Sequence, residues 1–138
     1  MAQGTILIIE DEQDVLDVLC EMVTLFGYTV ARASDGILAW EMIRRANYDL
    51  VITDLGLPGM DGVELVKSMR ANSLNVPVLV IAGIDFDKSD LEIKRASNCD
   101  FIQKPFKMKD IKEKISQLLK GKEQASQKTK HDQKTTGK

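Results

Sequence analysis

Short apolar runs of strand length recur along this chain, and each gives way to a stretch with helical spacing. Thr5–Glu10, Tyr28–Ala33, Asp49–Asp54, Val76–Ala82 and Asp100–Gln103 read as five strands. Several are apolar nearly throughout, as expected of strands buried on both faces of a parallel sheet. Glu12–Phe26 carries Val15, Leu19, Met22, Val23 and Phe26 at helical spacing, and Gly27 supplies its stop. Asp35–Ala46 predicts a second helix with Leu38, Ala39, Met42 and Ile43 inward, and Val63–Asn72 a third. A capping box, Ser89 to Glu92, opens a fourth helix running to about Ser97. Met108–Leu119 predicts a fifth, with Met108, Ile111, Ile115, Leu118 and Leu119 on one face.

Five strands alternating with five helices imply a doubly wound α/β fold with right-handed crossovers. The simplest strand order is 2-1-3-4-5, with the switch point between strands 1 and 3. Ligands bind beyond the carboxyl ends of strands at that point. Glu10-Asp11 at the end of strand 1 and Asp54 at the end of strand 3 are expected there, and strand 5 likewise ends just before a charged residue, Lys104.

Composition narrows the function classes. With 138 residues, 43% hydrophobic and 29% charged, the chain has the makings of one folded domain. No apolar stretch approaches membrane-spanning length, and Ile6–Ile9 is too short for a signal-peptide core, so a cytoplasmic location is the default expectation. Residues 1–119 hold 19 acids against 13 Lys and Arg, which argues against nucleic acid or membrane as the partner of the domain. Residues 120–138 hold six Lys and two acids, with Ala125 the only hydrophobic residue. We therefore expect a domain over 1–120 and a polar, Lys-rich tail or linker over 121–138, where His131 has no assigned role. Cys20 and Cys99 lack metal-site spacing and are expected as buried free thiols.

The charged residues at the strand ends form a chemically specific set. Mg²⁺ takes hard oxygen ligands, typically one or two carboxylates with waters and phosphate oxygens. Asp11 and Asp54, on neighbouring strands, could share one ion, with Glu10 ligating directly or through water. A carboxylate can also attack phosphorus to form an aspartyl phosphate, provided charge on the phosphoryl oxygens is neutralised. The ion would supply part of that charge and Lys104 the rest. Singly, Glu10-Asp11 could be ordinary helix N-terminal charge and Lys104 a surface cation. Their convergence on one edge of the sheet favours the site.

On these residues the chain resembles the receiver domain of two-component response regulators over about residues 4–120. The features that carry the resemblance are Glu10-Asp11, Asp54 followed by Pro58 and Gly62, and Lys104-Pro105-Phe106. It implies a flavodoxin-like fold and a phosphorelay module that accepts a phosphoryl group on Asp54 from a histidine kinase or phosphotransfer protein. It further implies Mg²⁺ (or Mn²⁺) held by Asp11, Asp54 and the Gly56 carbonyl with Glu10 in support, Lys104 on the phosphoryl group, and a cis peptide before Pro105. Output would run through the face of the fourth helix, strand 5 and the fifth helix toward a downstream protein or output domain. That face is also the family's route to a homodimer. Such a module is no enzyme beyond its own phosphorylation and dephosphorylation.

One departure stands out. Where the family has a Ser or Thr at the end of strand 4, this chain has Ala82 followed by Gly83. Ala82 cannot donate to a phosphoryl oxygen, a loss of about 1.5–3 kcal/mol if unreplaced. Thr53 is directed away from Asp54 by strand alternation, while the Gly83 backbone N–H remains as a donor. The aromatic partner of the family's switch is kept as Phe101. Gly56 and Ile84 stand where the family tunes phosphate hydrolysis, and neither can orient a water, so slow self-dephosphorylation is expected. The competing reading is a pseudo-receiver, a binding module not driven by phosphate. A Mg²⁺-dependent phosphohydrolase is disfavoured, because Gly56 occupies the place of its acid/base carboxylate.

Overall fold

The computed structural model describes residues 4–83 and 98–121. Five parallel strands, β1 (Thr5–Ile9), β2 (Thr29–Ala33), β3 (Leu50–Asp54), β4 (Val78–Ala82) and β5 (Cys99–Gln103), lie in the order β2-β1-β3-β4-β5. This is the doubly wound arrangement expected from the alternation of strands and helices. Helix α1 (Gln13–Leu25) joins β1 to β2, α2 (Gly36–Arg45) joins β2 to β3, and α3 (Gly62–Ala71) follows β3. A C-terminal helix spans residues 108–121, one residue beyond the expected domain boundary. The fourth helix expected over 89–97, Ile84 and the tail beyond residue 121 lie outside the described residues.

Alternation along the strands builds two cores, one on each face of the sheet. Ile6 and Ile8 of β1, Ile52 of β3 and Leu79 and Ile81 of β4 pack with Leu16, Leu19, Cys20 and Val23 of α1 and with Ile111 and Ile115 of the C-terminal helix. The intervening residues, Leu7, Ile9, Val51, Val78 and Val80, pack with Ala39 and Ile43 of α2 and Leu65, Val66 and Met69 of α3. The helices that follow β1 and β3, α1 and α3, therefore lie on opposite faces, and the cleft opens where β1 and β3 end.

The starts of α2 and α3 follow from side-chain caps. Asp35 accepts from Leu38 N at 2.7 Å, and Asp61 accepts from Glu64 N at 2.9 Å. Gly27, at φ 103°, ends the first helical segment as its sequence position suggested. The Lys104–Pro105 peptide is cis.

The helix faces differ from expectation in detail. The buried stripe of α1 is Leu16, Leu19, Cys20 and Val23, while Val15, Met22 and Phe26 flank it half-buried. Nine apolar positions between Val15 and Phe26 spread over a wide arc, and the packing of the helix on the sheet decides which four face inward. Leu38 was expected inward and is 40% exposed, and Met108 is 51% exposed. Each stands in the first turn of its helix. Cys20 is buried but Cys99 only partly so, and both are free thiols. Burial pushes the Cys99 thiol up to about 12, far from a reactive thiolate.

Candidate functional site: an acidic cleft at the sheet's switch point

The pairing of β1 with β3 sets Ile9 opposite Thr53, so the next residues, Glu10 and Asp54, emerge side by side. One carboxylate oxygen from each of Glu10, Asp11 and Asp54 lies within 4.8 Å of the others, the only such acidic group found among the described residues. Their settings differ sharply. Glu10 is 2% exposed, Asp54 half-buried and Asp11 exposed.

Burial, a hydrogen bond with the Asp54 side chain and the charge of Asp54 push Glu10 from an ordinary 4.5 up to about 8, with Lys104 opposing and Asp11 adding a little. Burial and crowding of the carboxylates thus raise the affinity of this cleft for a proton. A cation bound among these oxygens would relieve the repulsion that keeps the proton there. Three hard oxygen donors with this much crowded negative charge fit Mg²⁺ or a similar divalent ion.

The backbone sharpens the position of Asp54. Its Oδ1 accepts from Leu55 N at 2.7 Å, and its carbonyl accepts from Thr53 Oγ1 at 2.9 Å. Thr53 is fully buried and its hydroxyl is spent on that carbonyl, in line with its expected turn away from the carboxylate. Gly62, the first residue of α3, has its N–H on Leu55 O at 3.0 Å. A Cβ there would sit 2.8 Å from the Asp54 carbonyl oxygen, so only glycine lets the start of α3 close against the end of β3.

The remaining expected residues gather around this cleft to differing degrees. Lys104 follows β5, its N–H donating to Ala82 O at 2.8 Å, and its ammonium is near enough to lower the Glu10 pKa. Gly56 is exposed on the β3–α3 loop, with open space where a Cβ would point. Ala82 ends β4 fully buried, on the sheet face it shares with Val80, whose β5 partner is Phe101. Phe101 is half-buried against that core. The Gly83 carbonyl accepts from Gln103 Nε2 at 3.4 Å. What the sequence did not reveal is how the β3–α3 loop is held. Leu57 anchors it in the core, and Gly36, far away in the chain, touches it. The apolar character of Leu57 inside a Gly/Pro-rich loop was the available signal.

Comparison with known proteins agrees with this geometry. The response regulator receiver domain family matches residues 6–116. An uncharacterized transcriptional regulatory protein of Bacillus subtilis, YrkP, is 34% identical over 83% of this chain, which spans 49% of that protein. The chemotaxis protein CheY-3 of Vibrio cholerae is 30% identical over 83% of this chain and 90% of its own. The receiver domain of the Pseudomonas aeruginosa sensor histidine kinase PA1611, solved with a magnesium ion coordinated in its active site cleft, superposes with a TM-score of 0.76, at 28% identity over 86% of this chain and 98% of that one. The chain spans about half the length of YrkP. Among the described residues no helix is long and apolar enough to cross a membrane. The five-stranded sheet, its acidic switch point and these relatives establish that the chain belongs to the response regulator receiver domain family.

Proposed function

We propose that this receiver accepts a phosphoryl group on Asp54 from a phosphohistidine of a histidine kinase or phosphotransfer protein, with Mg²⁺ as cofactor. The observation that carries the reading is the convergence of the Glu10, Asp11 and Asp54 carboxylates within 4.8 Å. Asp11, Asp54 and the Gly56 carbonyl would hold the ion, with Glu10 in support, and the ion would neutralise charge on the phosphoryl oxygens. An Asp54 oxygen forms the new bond to phosphorus as the donor's P–N bond breaks. Lys104 offers the second positive charge to the transferring group. The chain is a signalling module that catalyses its own modification, and its partners would be the donor and a downstream protein or output domain. A cytoplasmic setting suits both.

Intact mass after incubation with acetyl phosphate and Mg²⁺ tests this. We expect a gain of one phosphoryl group in the wild type and none in Asp54→Ala. No gain in the wild type, with Mg²⁺ binding demonstrated separately, would instead assign a receiver that signals without phosphate.

Ala82 bears on how the fold responds to phosphorylation. With no hydroxyl at this position, the link from Asp54 to Phe101 should be weak. Ala82→Thr is expected to strengthen it, at a packing cost of about 1–3 kcal/mol in the unphosphorylated state because the site is fully buried. The Phe101 ring resonances, compared with and without beryllofluoride, would report the change. An equal two-state shift in wild type and variant would refute the dependence on the hydroxyl. Gly56 offers no group to orient a hydrolytic water, so a phospho-Asp54 lifetime well beyond seconds is expected.

A further inference from the structure

The loop between β3 and α3 carries the Gly56 carbonyl, and its outer end rests on α2. A Cβ on Gly36, the first residue of α2, would lie 1.8 Å from Met60 O and 2.8 Å from Met60 C. These are backbone atoms, so no side-chain rotation could relieve the overlap. Gly36 is buried, and α2 is held in place by Ala39 and Ile43 in the core. Beside it, Ile37 lies over the backbone of Gly59, with Cδ1 3.0 Å from where a Cβ on that glycine would sit. The loop is fastened at three further points. Leu57 is buried, Met60 N donates to Pro58 O at 2.9 Å, and Gly62 N donates to Leu55 O at 3.0 Å. These ties close the loop on itself between Leu55 and Gly62.

We infer that Gly36 is a positioning residue for the cation site: by letting α2 close against Met60, it sets the depth at which the β3–α3 loop presents Gly56 beside Asp54. The inference rests on the reading that Asp11, Asp54 and Gly56 take Mg²⁺. Gly36 touches neither ion nor phosphate. Its influence passes through Met60 and the loop. Ile37 is a second, milder brace on the same loop, and being 55% exposed it has little part in the core.

Calorimetric titration with Mg²⁺ alone, on the full chain, tests the inference. Gly36→Ala should weaken Mg²⁺ binding at least tenfold, and Ile37→Ala about threefold with an unchanged melting temperature. Ile43→Val, which trims the buried face of the same helix away from the loop, should lower the melting temperature and leave the affinity unchanged. Wild-type affinity in a folded Gly36→Ala protein overturns the inference. Should Gly36→Ala not fold, wild-type affinity in Ile37→Ala overturns it, as does an Ile43→Val protein that loses affinity as much as Ile37→Ala. A wild type without measurable Mg²⁺ binding overturns it too. A wild type that binds Mg²⁺ and takes no phosphoryl group would sink the phosphoacceptor reading alone, leaving the affinity ratios to decide the role of Gly36.

Discussion

Without a divalent cation, the protein is expected to lose stability as pH rises from about 4.5 to about 8, and Glu10→Gln is expected to remove that loss. In the unfolded chain Glu10 ionises near 4.5, whereas in the folded chain it keeps its proton up to about 8. Between those values the folded state binds more protons than the unfolded state, so raising pH favours unfolding. The stabilisation from the held proton is complete below 4.5 and gone above 8. Because Glu10 is almost fully buried, the difference across the window should be on the order of a few kcal/mol. Saturating Mg²⁺ should reverse the trend at the alkaline end, since the ion binds the ionised carboxylates and adds roughly 2.7 kcal/mol at 100 times its Kd. Urea midpoints measured across this range, for wild type and Glu10→Gln with and without Mg²⁺, separate Glu10 from every other titrating group. Parallel curves for the two proteins in chelator would mean that Glu10 ionises normally.

Lys104→Gln should slow phosphoryl uptake from acetyl phosphate by about 10²–10³-fold, the usual loss when one preorganised charge at a reacting oxyanion is removed. Mg²⁺ affinity should not fall, because the lysine opposes the carboxylates' negative field and is not a ligand. That split distinguishes a phosphoryl contact from a structural cation. Lys104 also has a structural tie through its backbone, the N–H on Ala82 O at 2.8 Å, which the substitution leaves in place. Rates from the growth of the phosphorylated mass peak at saturating Mg²⁺ provide the readout. A rate within a few fold of wild type would remove Lys104 from the reaction.

The acidic cleft was legible in the residues because two simple periodicities specify it. Apolar runs such as Ile6–Ile9 and Leu50–Thr53 can be buried on both faces only as inner strands of a parallel sheet, and charged residues must stand where such strands leave the core. Helix orientation was less legible. In α1 the apolar residues are too many to define one stripe, so Leu16 and Cys20 do not stand out as core. In α2, Leu38 matches an inward position by spacing, yet it stands in the first turn of the helix and is 40% exposed.

Sequence alone determined the order of elements, the sheet they build and the identity of the carboxylates and lysine at its edge. Those follow from local periodicity and from the topology rules for alternating strands and helices. Only the tertiary structure decided the upward shift of the Glu10 pKa and the seat of the β3–α3 loop. The first depends on how completely the surrounding atoms exclude water from one carboxyl and on the hydrogen bond it shares with Asp54. The second depends on a backbone contact between Gly36 and Met60, residues on separate elements with no periodic relation. Desolvation and close backbone approach are properties of the packed whole, and no pattern along the chain encodes them.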